Sequence, residues 1–239
     1  AIVLAHEKIK VLTNTTLNAV AGFVGSFTGE LNVNGQTQDI EFGACIIATG
    51  ANEYKPDEYL YKQDDRVMTS LEFNANLKSN PDLAQKTGSA VFIQCVGSRN
   101  QDHPYCSRVC CTQSITKAVG LKQQNPNMDV FIIYRDIRTY SEMEIIYRQA
   151  RDLGIIFIKY TRDNKPVVRK ENTDLFVDVF DPILQKIVSI GADIITLASA
   201  IVPNDTTPFV ELFKCSINAD GFLMESHPKL KPVDSTVDG

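Results

Sequence analysis

Alternating apolar and polar segments divide the central part of the chain into strands and helices. Short apolar runs predict three strands, and apolar residues at helical spacing between them predict two helices. The predicted strands cover residues 90–95, 129–134 and 155–160, and the predicted helices cover about 107–123 and 142–153. Strands that alternate with helices are typical of a parallel sheet with right-handed crossovers. We therefore predict a βαβ-type α/β domain over residues 89–200.

The first 60 residues show a strand-rich pattern instead. Apolar and β-branched runs predict strands over residues 9–13, 20–33 and 44–48, and a polar, solvent-facing strand over residues 36–42. Asn34-Gly35 is a strong signal for a type I′ turn, so the segments on either side of it should form a hairpin. Together these segments predict a β-meander.

The remaining segments predict shorter elements. Thr69 or Ser70 should cap a short helix that ends at Leu77. Turn signals divide residues 162–191 into three short strands. Further elements are predicted as a strand over 193–200, a helix over about 208–213 and a last strand over 220–225.

Two similar segments suggest how these elements are divided into domains. CIIATGA begins at Cys45 and DIITLASA begins at Asp193, and both run from an apolar strand into a turn. We expect the chain to cross between two lobes at these points. The predicted division is a first lobe of residues 1–60 plus 201–239, a connector of residues 61–88, and an inserted lobe of residues 89–200.

Composition and charge exclude some classes of partner. The chain has 239 residues, 44% of them apolar, with a formal net charge of −5 and no run of Lys or Arg. Nucleic acid and anionic membrane surfaces are therefore poor partners. No apolar stretch approaches the roughly 20 residues that span a bilayer, so no transmembrane segment and a cytoplasmic location are predicted. Because the first residue is Ala, we expect the chain to be a piece of a longer protein.

Four of the six cysteines lie within seventeen positions between a predicted strand and a predicted helix. They are Cys95, Cys106, Cys110 and Cys111. With Ser107 as the predicted N-cap, Cys106 and Cys110 should share one helical face, with Cys111 rotated by roughly 100°. A helix N-terminus stabilises anions, and Arg99 and Arg108 add positive charge. We therefore expect these thiols to ionise readily and to converge on one centre.

The residues alone leave the chemistry of this centre open. Six cysteines in a chain of this length are too few for a secreted disulfide scaffold, and no C-x-x-C pair indicates a thioredoxin-like dithiol. Four thiolates suit either tetrahedral zinc or an iron–sulfur cluster. Cys110 or Cys111 alone could also be a core residue. Cys45, within a predicted apolar strand, and Cys215 are predicted to pack in the core.

The segment CVGSR…PYCSRVCC and the helix that follows closely resemble the A-subunit family of heterodisulfide reductase, whose members are iron–sulfur flavoproteins. CIIATGANEY, VMTSLEF, DVFIIYRDIR and DGFLMESHPKLKPVDSTVDG resemble the same family in the same order. The resemblance covers nearly the whole chain. It implies that Cys95, Cys106, Cys110 and Cys111 ligate a [4Fe–4S] cluster. It also implies a thioredoxin-reductase-like fold with two dinucleotide-binding domains and an oxidoreductase that passes electrons to partner subunits.

The resemblance also implies FAD in the full-length protein. Thr49, Gly50 and Ala51 stand where a flavin-domain strand of this family ends, and they are the predicted cofactor-binding residues. Both the N-terminal glycine-rich flavin motif and the closing flavin segment are missing, so we do not expect this fragment to bind FAD tightly or to be active alone. The family has Gly where this chain has Ala200.

Two other functions remain open on the sequence. One is a zinc- or disulfide-stabilised interaction domain without redox turnover. The other is an NAD(P)H-dependent disulfide oxidoreductase. The latter should carry G-x-G-x-x-G in its first strand–helix turn, which here contains only Gly97. No catalytic residue, electron donor or terminal acceptor is predicted.

Overall fold

A computed structural model describes residues 2–238 as two compact units. Within the described residues, 2–51 and 203–238 form the first unit, and Asn52–Val202 form the second. The elements before residue 52 are α1 (Ile2–Ala5), β1 (Thr15–Phe23), β2 (Ser26–Val33) and β3 (Gln36–Phe42). The next elements are β4 (Asn52–Glu53), β5 (Val67–Thr69), α2 (Ser70–Ser79), α3 (Leu83–Lys86), β6 (Ser89–Val96), α4 (Cys110–Gln124), β7 (Asp129–Tyr134), α5 (Met143–Asp152), β8 (Ile156–Lys159), β9 (Val167–Glu171), β10 (Asp174–Asp181), β11 (Lys186–Ala192), β12 (Ile194–Ser199) and β13 (Ile201–Val202). The last are α6 (Thr207–Phe213), β14 (Glu225–His227) and β15 (Lys231–Ser235).

The second unit is built on a five-stranded parallel sheet of order β5-β12-β6-β7-β8. Its strands are apolar because the sheet is covered on both faces, as parallel sheets usually are. All six residues of β12 are buried. The predicted strands at 90–95, 129–134 and 155–160 correspond to β6, β7 and β8, and the predicted parallel sheet is confirmed.

Different elements cover the two faces of this sheet. On one face, Phe92 and Ile132 of the sheet pack with Phe73 of α2 and Ile115 of α4. On the other face, Val91 and its neighbours pack against the antiparallel sheet of order β11-β10-β9. The three strands predicted within 162–191 form this second sheet. Successive residues of a strand point to opposite faces, so the side chains of β6 and β12 alternate between the helices and the antiparallel sheet.

The first unit contains a β-meander of order β1-β2-β3. Asn34 and Gly35 have φ angles of +52° and +88° and connect β2 to β3, which confirms the predicted type I′ hairpin. The segment predicted as one strand over residues 20–33 is instead a hairpin, because Val24-Gly25 turns the chain between β1 and β2.

Three of the strands predicted in the first unit do not form, so these predictions are wrong. Residues 9–13 and 44–48 form no strand, and Ile46 is 91% exposed. Residues 220–225 contain only an isolated bridge from Leu223 to Ile217 before β14 begins. An apolar run becomes a strand only where a neighbouring strand completes its hydrogen bonds, and no strand within residues 2–238 pairs with 44–48.

The chain enters and leaves the second unit through one strand pair. β4 follows CIIATGA and β13 follows DIITLASA, and the two strands pair antiparallel with Glu53 opposite Ile201. Tyr54 N–H then donates to Ala200 O at 2.8 Å. The segment 61–88, predicted as a connector, contributes β5, α2 and α3 to the second unit. The division into a flavin-type lobe and an inserted lobe stays a prediction.

The helix predicted after Thr69 or Ser70 is α2, and its N-terminus forms a capping box. Thr69 Oγ1 accepts from Glu72 N–H at 3.4 Å, and Thr69 N–H donates to Glu72 Oε2 at 2.9 Å. Thr69 Oγ1 also donates to Glu53 Oε2 at 2.7 Å. The fully buried Thr69 hydroxyl thus both accepts a hydrogen bond from the helix backbone and donates one to the Glu53 carboxylate.

Replacing Thr69 with alanine should therefore lower the free energy of unfolding by about 1–2 kcal/mol, the usual cost of losing a buried N-cap. Urea unfolding followed by circular dichroism measures the change. Ser79→Ala, at the exposed end of the same helix, is the control and should change stability by less than about 0.5 kcal/mol. Equal effects of the two variants would contradict the role of the cap.

Among residues 2–238, no helix is both long and apolar enough to cross a membrane.

Candidate functional site

The candidate site is the loop between β6 and α4. Cys95 lies near the end of β6 at φ +60°, and the helix begins at Cys110, so Cys110 and Cys111 both lie in its first turn. Cys106 lies in the loop, and the prediction that it shares a helical face with Cys110 is wrong. The physical reason is Arg108, whose φ of +65° is incompatible with a right-handed helix.

Ser107 does not cap α4 as predicted. Val109 holds the N-cap position and makes no side-chain cap hydrogen bond. Ser107 Oγ instead accepts a hydrogen bond from Ile201 N–H at 2.9 Å. This bond ties the loop to β13, which follows the buried strand β12.

Hydrogen bonds within the loop fix its path. Arg99 N–H donates to Tyr105 O at 3.1 Å, and Asn100 N–H donates to His103 O at 3.2 Å. His103 Nδ1 lies 2.8 Å from Gly97 O. Because a carbonyl oxygen only accepts, Nδ1 carries the proton. The loop is therefore closed on itself before it reaches Cys106.

The thiols lie at the carboxyl edge of the parallel sheet. Cys110 Sγ donates to Ser199 O at the end of β12, and Cys111 Sγ donates to Asp136 O after β7, each at 3.7 Å. Arg108 N–H donates to Cys106 Sγ at 3.4 Å. The ends of β6, β7 and β12 thus surround the cysteine loop.

Electrostatic coupling indicates that the four cysteines lie close together. Burial raises the pKa of Cys110 to about 12, and the negative thiolates of Cys95, Cys111 and Cys106 contribute to the increase. Burial also raises the pKa of Cys95 and of Cys111, and in both cases the charge of Cys106 adds to the effect. The expectation that these thiols ionise readily is wrong for these three cysteines, because burial outweighs the helix N-terminus.

Arg99 places positive charge beside Cys95. Its guanidinium donates to Asp136 Oδ2 at 2.7 Å, and its positive charge acts on the Cys95 sulfur. Burial prevails and the pKa of Cys95 is raised, although the charges of Arg99 and Arg135 act to lower it. Both arginines thus favour negative charge on the Cys95 sulfur.

The donor set fits an iron–sulfur cluster in the type and number of its ligands. All four cysteines are free thiols, and each acts electrostatically on at least one of the others. Within residues 2–238, no group of three or more His, Cys, Asp or Glu side chains is arranged to hold a metal ion. In a cluster, each of four thiolates binds a different iron, so the sulfurs do not meet at one point.

A cavity of about 300 Å³ opens beside Cys95, and no sequence motif indicated it. Its walls include residues that follow β7 and β8, among them Arg135 and Tyr160. Arg135 Nη1 donates to Arg99 O at 2.9 Å, and the Tyr160 hydroxyl donates to Gln94 O at 2.6 Å. Their only signal in the sequence is that they stand at the carboxyl ends of predicted parallel strands, where ligands usually bind.

The other two cysteines, Cys45 and Cys215, belong to the first unit, whereas the cysteine loop belongs to the second. Cys215 is buried as predicted, and Ser235 Oγ donates to its sulfur at 3.3 Å. Cys45 is half-buried and outside any strand, so the prediction that it is a strand core residue is wrong. Burial raises the pKa of Cys45, and the charge of Cys215 raises it further.

The predicted flavin-contacting residues lie in an irregular segment. Thr49, Gly50 and Ala51 are exposed, and Gly50 has a φ of +70°. Thr49 O accepts a hydrogen bond from Asn204 Nδ2 at 3.0 Å, which joins the two chain segments of the first unit. Their role in cofactor binding stays a prediction.

Comparison with known proteins identifies similar chains. No family model matches. The chain is 35% identical over 220 residues to the A-subunit of the H(2):CoB-CoM heterodisulfide,ferredoxin reductase of Methanothermobacter thermautotrophicus, an alignment that covers 84% of this chain and 33% of the relative. It is 37% identical over 244 residues to a protein of Archaeoglobus profundus described as like the heterodisulfide reductase A-subunit, covering 87% of this chain and 34% of the relative. The chain thus spans about one third of the length of these relatives.

A solved structure supports the fold. The thioredoxin reductase of T. acidophilum superposes with a TM-score of 0.53 at 12% sequence identity, over 94% of this chain and 63% of that enzyme. The predicted α/β, thioredoxin-reductase-like fold is confirmed. The resemblance to the A-subunit of heterodisulfide reductase, inferred from the cysteine motif, is also confirmed along most of the chain.

Proposed function

We propose that this chain is the cluster-carrying electron-transfer part of an oxidoreductase of the heterodisulfide reductase A-subunit type. The observation that carries the proposal is that a single loop brings four free cysteines to one sheet edge, where Cys110 and Cys111 contact the ends of β12 and β7. Cys95, Cys106, Cys110 and Cys111 would hold a [4Fe–4S] cluster. Such a cluster supplies one-electron transfer when bound.

The residues around the thiols prepare the site for negative charge. Arg99 and Arg135 place positive charge near the Cys95 sulfur, and Arg108 N–H donates to the Cys106 sulfur. The first turn of α4 directs the N-terminal end of its dipole toward Cys110 and Cys111. Each of these groups stabilises a thiolate relative to a thiol and so favours metal ligation over protonation.

Burial and the loop contacts restrict access to the site. Cys111 is buried, and two hydrogen bonds hold the loop at β13: the Tyr105 hydroxyl donates to Ile201 O, and Ile201 N–H donates to Ser107 Oγ. The cavity beside Cys95 leaves one side open to small molecules. An electron-transfer centre needs such partial shielding, since exposure to water changes the reduction potential of a cluster.

The wider function rests on the relatives, of which this chain covers one third. Thr49, Gly50 and Ala51 would contribute one part of a flavin site in the full-length protein. The partners would be other electron-transfer subunits, in the cytoplasm. We expect the chain alone to be inactive and to bind neither FAD nor a nicotinamide nucleotide tightly, since its first strand–helix turn lacks the glycine-rich phosphate loop.

Anaerobic reconstitution with iron and sulfide tests the proposal. The purified chain should take up about four iron and four sulfide per molecule, measured by colorimetric iron and sulfide assays. One zinc per chain with no sulfide would instead favour the zinc-stabilised interaction domain. Micromolar binding of NADH to the same material, measured by calorimetry, would favour the NAD(P)H-dependent oxidoreductase.

A further inference from the structure

Several buried polar side chains of the parallel sheet and of α4 lack hydrogen-bond partners. Both amide atoms of Gln94 are unpartnered among residues 2–238, as are the hydroxyls of Ser114, Thr196 and Ser199. Gln94 and Ser114 are both fully buried. A buried polar atom without a partner costs about 1–3 kcal/mol, so such a set calls for an explanation.

Gln94 and Ser114 lie beside the cysteines. Gln94 immediately precedes Cys95. Along β6, Ile93 faces the antiparallel sheet and Phe92 faces the helices, so the Gln94 side chain lies on the helix side, which α4 helps to cover. Ser114 follows Cys110 by four residues and Cys111 by three, so it shares their helix face about one turn away. These two side chains thus approach the thiols from the sheet and from the helix.

Thr196 belongs to the same face but lies farther from the thiols. Thr196 pairs with Phe92 of the neighbouring strand. The backbone oxygen of Ser199, three residues later, accepts a hydrogen bond from the Cys110 thiol. Three residues of a strand correspond to roughly 10 Å. Thr196 therefore serves as an internal comparison of similar burial.

We propose that Gln94 and Ser114 donate hydrogen bonds to the sulfur atoms of the centre held by Cys95, Cys106, Cys110 and Cys111, and thereby raise its reduction potential. This inference rests on the proposed function. Sulfur atoms are the acceptors that the cysteine site would add, and they would satisfy donors that have no partner in the described part of the chain. A donor to a cluster sulfur stabilises the more negative, reduced state more than the oxidised state.

The experiment compares the wild-type chain with Gln94→Met and Ser114→Ala after anaerobic reconstitution. Methionine is unbranched and similar in size to glutamine, so packing is largely kept. Iron content should stay at the wild-type value in each variant. The equilibrium constant for reduction of the cluster, measured by spectroscopic redox titration, should fall roughly three- to ten-fold for each lost donor.

Thr196→Val is the matched control because it removes an unpartnered buried hydroxyl away from the thiols. It should change the equilibrium constant for reduction by no more than about two-fold. The loss of a hydrogen bond to a charged acceptor would change it by more than that. In the cluster-free protein, Gln94→Met should instead raise the melting temperature, since it removes an unpaired buried polar group.

Three results would overturn the inference. A wild-type reduction equilibrium in Gln94→Met with full iron would remove Gln94 as a donor while leaving the proposed function intact. A lower melting temperature of cluster-free Gln94→Met would show that the amide has a partner without the centre. A wild-type chain that takes up no iron would remove both the proposed function and this inference.

Discussion

Cys111→Ser is expected to reduce the iron content of the anaerobically reconstituted chain from about four atoms to less than about one. Cys111 is 7% exposed, and its thiol is coupled to Cys95 and Cys106. A serine hydroxyl is a poor ligand for iron at neutral pH because it keeps its proton, whereas a thiol loses its proton when it binds a soft metal. Iron analysis and the visible absorption of the cluster measure the loss. The same loss is expected for serine at the other three positions.

Cys215→Ser is the matched control for this experiment. Cys215 is also 7% exposed, but it lies in the first unit, where Ser235 donates to its sulfur. The two variants therefore make the same chemical change at positions of equal burial. Cys215→Ser and Cys45→Ser should keep wild-type iron. Full iron retention in Cys111→Ser would exclude that residue as a ligand and reopen a structural role for it.

Local signals predicted much of the fold, because several of its elements depend on nearby residues. The Asn34-Gly35 turn formed since its two residues tolerate positive φ angles. The helix α2 began after Thr69 since the hydroxyl and Glu72 satisfy each other's backbone groups. The strands β6 and β7 have continuous apolar runs, which are typical of a sheet that is covered on both faces.

The mistakes arose where the outcome depends on distant residues. Residues 44–48 carry an apolar run, but a strand also needs a partner strand, and local pattern does not supply one. The start of α4 was predicted too early because the left-handed backbone of Arg108 has no signature in sequence. Ser107 resembled an N-cap, yet its hydroxyl contacts Ile201, which lies 94 positions away in the chain.

The sequence indicated that the four cysteines lie together, but it did not indicate their electrostatics. The role of these four thiols as ligands stays a prediction. Their pKa values depend on burial against strands that are distant in sequence, such as β12 at Ser199, and this burial reverses the effect expected from the helix N-terminus. The unpartnered Gln94 amide had no sequence signal either, since glutamine is usually an exposed residue.

Gly97→Ala is expected to destabilise the chain by about 2–5 kcal/mol and to displace the cysteine loop. Gly97 follows β6 at φ +71°, a conformation that costs an L-residue about 1–2 kcal/mol. A Cβ atom there would lie 2.1 Å from Cδ1 of Tyr54, well inside contact distance. Overpacking of this kind costs about 1–3 kcal/mol.

Tyr54 cannot easily move away from that contact. Its backbone N–H donates to Ala200 O at 2.8 Å, and its ring packs edge-on against His103, with centroids 5.5 Å apart. His103 in turn contacts Gly97 O through Nδ1. The strain should therefore pass into the loop between Cys95 and Cys106, and iron uptake should fall together with stability.

Gly120→Ala is the matched control: the same chemical change should stabilise the chain at this position, whereas it destabilises the chain at Gly97. Gly120 lies inside α4, and a Cβ atom built there meets nothing within 4 Å. Alanine should stabilise the helix by up to about 1 kcal/mol and leave iron uptake unchanged. Urea unfolding gives both free energies, and iron analysis after reconstitution gives the uptake. A Gly97→Ala variant as stable as the wild type, with full iron, would show that the loop accepts a side chain at this position and that its path does not determine the site.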